Sequence, residues 1–218
     1  MINLTKDEAR VIGGLVEKAL TTPGQYPLTL NSLVSGCNQR SNRLPILNLD
    51  ENRVIAALDS LKAKDLAREV MLASSRVTKF RHTTKETLEI SISELVVLAE
   101  LLLRGPQTLG EIRGRASRMH PLESLEVVQS ILDHLSNRDQ PMVRDVAPAP
   151  GSRAKRFAQL LCPDAHPIEA ASSASSSTSP TTAAHNNSEL EKRIETLERE
   201  LKELRSAINT ITQSLGAH

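Results

Sequence analysis

The 218-residue chain has no tryptophan, one tyrosine (Tyr26) and two phenylalanines (Phe80 and Phe157). So few rings leave little on which single-stranded nucleic acid could stack. The core must come from Leu, Ile, Val and Ala, which favours helix packed on helix. Cysteine is scarce as well. Cys37 and Cys162 give neither a disulfide framework nor metal-ligand spacing, and a reducing, cytoplasmic setting is expected. The opening, Met1-Ile2-Asn3-Leu4-Thr5-Lys6, has no apolar signal region. The longest greasy stretch, Leu95 to Leu103, is broken by Glu100 and is far too short to span a bilayer, so no membrane contact is expected. Gly-rich phosphate loops, metal clusters and triad spacings are missing too. The histidines are scattered, and Cys37 lies on the apolar stripe of a helix, where a small core residue is the simpler reading. Neither enzymatic activity nor a cofactor is expected.

The net charge of +1 hides an asymmetry. Residues 1–163 carry 22 basic and 18 acidic side chains, and residues 164–218 carry 5 and 8. The larger part is mildly basic, which permits contact with nucleic acid without demanding it.

What is present is helical periodicity with clear start signals. Ala9, Ile12, Leu15, Val16 and Leu20 recur on one face, and Thr5 with Glu8 forms a capping box before them. Thr29 caps a second helix bearing Leu30, Leu33, Val34 and Cys37. Asn48 with Glu51 is expected to cap a third, whose stripe is Val54, Ala57, Leu58 and Leu61. Strands are predicted at 66–72 and 76–82 around a Ser74-Ser75 turn. The same order then recurs. Ser91 with Glu94 and Thr108 with Glu111 cap two helices, 123–137 forms a third, and strands at 142–146 and 153–160 flank a Pro/Gly tip. A repeat of about 80 residues fits a duplicated domain rather than a solenoid unit. Three short helices closed by a hairpin are the winged-helix plan. The expected fold is therefore mainly α with small β-hairpins. It comprises two tandem winged-helix domains (1–86 and 87–163), a disordered Ser/Ala-rich linker (164–187) and a C-terminal coiled-coil helix (188–216).

The coiled-coil prediction rests on Leu190, Ile194, Leu197, Leu201, Leu204, Ile208, Ile211 and Leu215, an unbroken heptad pattern. With Ile194 and its heptad successors as a positions, Arg193 would face Glu198 and Glu200 would face Arg205 in a parallel pair. A homodimer is the expected assembly; no buried Asn fixes the register, so a trimer stays open.

Several stretches carry a family likeness. They are Glu8-Ala9-Arg10-Val11-Ile12-Gly13, Thr21-Thr22-Pro23 with Gln25-Tyr26-Pro27-Leu28, and Cys37-Asn38-Gln39 with Ser41-Asn42-Arg43 and Pro45. Leu101-Leu102-Leu103-Arg104-Gly105-Pro106-Gln107-Thr108 continues them in the second half. Together they resemble the YceH family of bacterial proteins, over about residues 4–161. The resemblance implies a tandem winged-helix fold and supplies neither a reaction nor a ligand. Gly24 stands where a longer polar residue is usual in that family.

Two functions remain in view. In the first, the protein is a DNA-binding or regulatory winged-helix protein whose partner is double-stranded DNA. Its candidate contacts are Asn38, Gln39, Arg40, Asn42, Arg43 and Arg53, with Arg76, Lys79 and Arg81 on the first hairpin and Arg153, Lys155 and Arg156 on the second. Amides and guanidinium forks suit base edges and phosphates. The loop side chains could equally satisfy their own backbone in tight turns. In the second, the winged helices bind protein partners as a scaffold. The acidic openings of the third helices, Asp50-Glu51 and Glu123 to Glu126, favour this one, because carboxylates suit a helix N-terminus and repel phosphate.

Overall fold

The computed structural model describes residues 2–71, 77–149 and 151–166, together with Arg199. The described residues from 2 to 166 belong to one compact unit. The coiled-coil positions Leu190 to Leu215, most of the expected linker, and Arg76 lie outside the described residues.

This unit is mainly helical with two small antiparallel sheets. Helices α1 (Lys6–Thr21), α2 (Leu30–Cys37) and α3 (Glu51–Ala63) accompany strands β1 (Leu28–Thr29), β2 (Ala67–Val70) and β3 (Lys79–His82). A single-turn helix, α4 (Thr84–Thr87), then leads to α5 (Ile92–Arg104), β4 (Gln107–Thr108), α6 (Leu109–Ala116), α7 (Leu125–Ser136), β5 (Val143–Val146) and β6 (Arg156–Gln159). The sheet orders are β1-β3-β2 and β4-β6-β5, so the two halves repeat one topology. The registers repeat too: Leu28 faces Phe80 and Thr29 faces Lys79, as Gln107 faces Phe157 and Thr108 faces Arg156. The short strands β1 and β4 were not foreseen. Each ends on a threonine that also caps the next helix, taking the amide of Ser32 or of Glu111 on its hydroxyl.

The predicted capping boxes at Thr5/Glu8, Ser91/Glu94 and Thr108/Glu111 are all present. The start of α3 is not where it was expected. Asp50, not Asn48, is its cap, and Asp50 Oδ1 takes the Arg53 amide at 2.8 Å. The described chain also runs past the expected linker start. Pro163–Ala165 makes a 3-10 turn, and His166 packs against Gly105, whose φ of +79° closes α5.

α1 is buried from Glu8 to Glu17 and α5 from Glu94 to Leu103, on every side. These helices are the centre of the unit, each packed on its own repeat and on the other helix. The contact needs a glycine. A Cβ on Gly13 would lie 2.9 Å from Leu103 Cγ and Cδ2, closer than carbon atoms can approach. Each enclosed leucine of this core, such as Leu15, Leu101 or Leu103, contributes roughly 1.5–3 kcal/mol. Among the described residues no helix is long and apolar enough to cross a membrane, and Cys37 and Cys162 are free and buried.

Candidate nucleic-acid interface

The loop after α2 was the leading candidate, and three of its polar side chains, those of Asn38, Asn42 and Arg43, are engaged by the rest of the protein. Asn38 closes the loop on itself: its amide donates to Leu49 O at 2.8 Å, and Leu49 N donates to its Oδ1 at 2.7 Å. Arg43 is interior, with a fully enclosed side chain ion-paired to Glu17. It also donates to the carbonyls of Gly36 (2.9 Å from Nη2) and Asn42 (2.8 Å from Nη1). Asn42, held at φ 58°, accepts from Arg104. Arg10 reaches in beneath, donating to Cys37 O at 3.0 Å and Pro45 O at 2.5 Å. The sequence reading of Arg43 as a ligand contact is thereby corrected: the carboxylate of Glu17 and the C-terminal carbonyls of α2 need its charge and its donors. Gln39 stays half-buried at the rim and Arg40 is exposed.

The pairing extends across both repeats. Arg118 joins Glu17 (2.5 Å) to Glu100 (3.2 Å), and Glu100 also holds Arg104 at 3.0 Å. Burial alone would raise the Glu17 carboxyl. The hydrogen bond and charge of Arg43, then Arg118, outweigh it and hold Glu17 below the usual carboxylate range. Leu44 N donates to Leu103 O at 2.9 Å, and His166 Nε2 lies 2.5 Å from Leu44 O, so the first repeat's loop is stitched to α5 and to the end of the unit. Sequence reading missed this network. Its one local trace was Glu17 and Glu100 interrupting apolar stretches.

Arg53 is half-exposed and held by Asp7 in a bidentate pair (2.9 and 2.7 Å), which occupies its fork. Arg113 caps the carbonyls of Leu122 and Glu123, and Arg115 bonds Gln107 and Glu111. On the second hairpin Arg153 is exposed, Lys155 lies 3.6 Å from Asp145, and Arg156 donates to Ala147 O.

The first sheet is different. Alternation puts Leu28, Ala67 and Phe80 on the core side, so Arg68, Lys79 and Arg81 share the outer side. Arg68 and Arg81 are direct cross-strand partners. Among the described residues none of the three has an ion pair or side-chain hydrogen bond. Arg68 was not a sequence candidate, although the strand predicted at 66–72 would have placed it opposite the buried Ala67. In the second sheet the matching pair is Arg144 and Ala158, a single charge.

Burial pushes the Cys37 thiol up to about 12, so it stays protonated at neutral pH. Among the described residues no His, Cys, Asp and Glu groups are gathered as metal ligands.

Residues 4–152 match the model of a family described as "Protein of unknown function, DUF480". A UPF0502 protein of Geobacter sulfurreducens is 51% identical over 160 residues, 73% of each chain. A UPF0502 protein of Shewanella pealeana is 44% identical over 215 residues, 96% of this chain and 99% of that one.

Proposed function

The chain belongs to this family of bacterial proteins, as its likeness to YceH implied, and from that premise we propose that it is a non-catalytic regulatory protein that holds duplex DNA through the outer face of its first sheet. The two repeats are read as winged helices, with β2 and β3 as the first wing and the heptad segment 188–216 pairing two copies. One observation carries the reading: Arg68 and Arg81 stand directly opposite beside Lys79 on the outer side of the sheet, without an ion pair among the described residues. Like charges in that register repel each other and weaken the sheet. Phosphates held one by each guanidinium offset that repulsion, and guanidinium forks suit their oxygens. Contact of this kind reads the backbone rather than the sequence.

The test is a mobility shift of genomic duplex fragments by the full chain across a salt series. Binding should weaken steeply with salt. R68A/R81A should flatten the log–log slope by roughly 2, one step of about 0.9 for each lost phosphate contact. An unchanged slope in that variant, or no shift by the intact chain at micromolar concentration, overturns the reading in favour of a protein scaffold.

A further inference from the structure

The second repeat ends by returning to the first. Pro163–Ala165 form a 3-10 turn, and His166, only 9% exposed, seats its ring between the two repeats. On one side lies Gly105. A Cβ there would stand 2.6 Å from the ring's Cδ2 and 2.7 Å from its Cγ, so the seat exists only beside glycine. On another side is the loop after α2, where Nε2 lies 2.5 Å from Leu44 O. A carbonyl oxygen only accepts, so Nε2 carries the hydrogen and the neutral ring keeps a bare lone pair on Nδ1. Nδ1 is enclosed and has no hydrogen-bond partner among the described residues. A cavity of about 300 Å³ adjoins the ring, lined also by Pro106, Arg144, Pro163 and Asp164.

The charges around this seat do not welcome a cation. From α1, the buried Arg10 opposes a second positive charge on the ring, and Lys6 and Glu8 act nearer to Cys162. Arg104, next to Gly105, is ion-paired to Glu100, and Arg144 of β5 stands on the cavity wall. Asp164 is exposed on the turn itself, and among the described residues it makes no hydrogen bond or ion pair with the ring. Proton uptake would put an N–H on Nδ1 with no acceptor and enclose a cation beside Arg10. We propose that His166 is an acid-released latch: the neutral ring fastens residues 163–166 to Leu44 and Gly105, and a proton taken from solvent onto Nδ1 expels the ring and frees the turn. Burial, then Arg10, holds the seated imidazole below 6.5 against the opposing pull of the Leu44 carbonyl. The latched form is therefore favoured above 6.5 and loses ground as pH falls. One proton separates the two forms, so their ratio falls by up to about tenfold per pH unit.

The experiment measures hydrogen exchange of the full chain by mass spectrometry at about pH 7.5 and 5.5, corrected for the intrinsic pH dependence of exchange, and follows the imidazole titration by NMR. The segment 160–166 should lose protection by up to about tenfold at the lower pH. H166A, with no ring to seat, should show the weakly protected segment already at the higher pH. H166F keeps a ring and H166Q keeps a donor for Leu44, and neither takes up a proton. Whichever of them holds the segment at the higher pH should hold it equally at the lower. Any effect of His82 on the whole fold is common to all four proteins and drops out of the comparison. Unchanged protection of the segment in the original chain while the His166 imidazole titrates overturns the proposal. So does a His166 midpoint at or above 6.5, or an equal loss of protection in H166F and H166Q.

Discussion

Glu17 of α1 and Arg43 of the loop after α2 form an ion pair in the interior, with 2% and 0% of their side chains exposed. Charges so enclosed are costly to desolvate, and their attraction repays that cost only when every remaining donor and acceptor is used. Most are used here: Gly36 O takes Nε and Nη2 of the guanidinium, Asn42 O takes Nη1, and Arg118 takes the second carboxylate oxygen.

Removing one partner alone should therefore be severe. Arg43→Met leaves the Glu17 carboxylate without its main counter-charge and should cost about 3–5 kcal/mol. Glu17→Gln/Arg43→Met together should cost much less than the sum of the single changes. Urea denaturation of the four proteins in a double-mutant cycle checks this; additive losses would show that the pair is not coupled.

The helix crossing gives a second test. Gly13→Ala should destabilise by about 1–3 kcal/mol, because the new methyl group meets Leu103 in a packed core. In a Leu103→Ala background, itself about 2–5 kcal/mol less stable, the same change should be nearly neutral. Thermal melts of the single and double variants read the difference.

Acid stability should fall in two stages. Burial holds the His82 imidazole down at about 4 in the folded chain, whereas the unfolded chain protonates it near 6.5. Between those values the unfolded state binds more protons, so stability declines as pH falls from 6.5 toward 4. Glu8, Glu17 and Glu94 are held below the ordinary 4.5 against the opposing effect of burial, so their contribution is present above 4.5 and lost as pH drops further. His166 is also held below 6.5 by burial, so His82→Gln should shrink the upper stage without abolishing it and keep the lower one in urea titrations between pH 7 and 3.

The first sheet should trade stability for binding. Arg81→Thr removes the charge facing Arg68 and adds a good strand former, so the protein should gain a few tenths of a kcal/mol. The same variant should bind duplex DNA more weakly. Calorimetric melts and the mobility-shift series measure the two effects separately, and a stability loss would contradict the account of the Arg68–Arg81 pair.

Local signals were legible in the sequence. The capping boxes, the apolar stripes and the repeat order depend on residues a few positions apart, and they led to the right elements. The cap of α3 was misplaced because Asn48 and Asp50 are both short acceptors and only backbone geometry separates them. Strands of two residues, β1 and β4, are too brief for alternation to show. The pairing of Glu17 with Arg43 and Arg118 joins distant stretches of chain, and nothing local in the sequence announces it. Within the loop at 38–45, Asn38, Asn42 and Arg43 looked free for the same reason: their partners Leu49, Arg104 and Glu17 come from other stretches of the chain. The outer position of Arg68 could have been read from its predicted strand.

Leu44 is bonded to Leu103 and His166, Asn42 to Arg104, and Glu17 to Arg118. Each contact takes one group from the first repeat and completes it with one from the second. A gene fragment ending near residue 86 would encode a half whose loop lacks its fasteners and whose central helix lacks its mate. Cutting the chain between the halves would leave Glu17 without Arg118 and Leu44 without Leu103, so the two halves act as one building block.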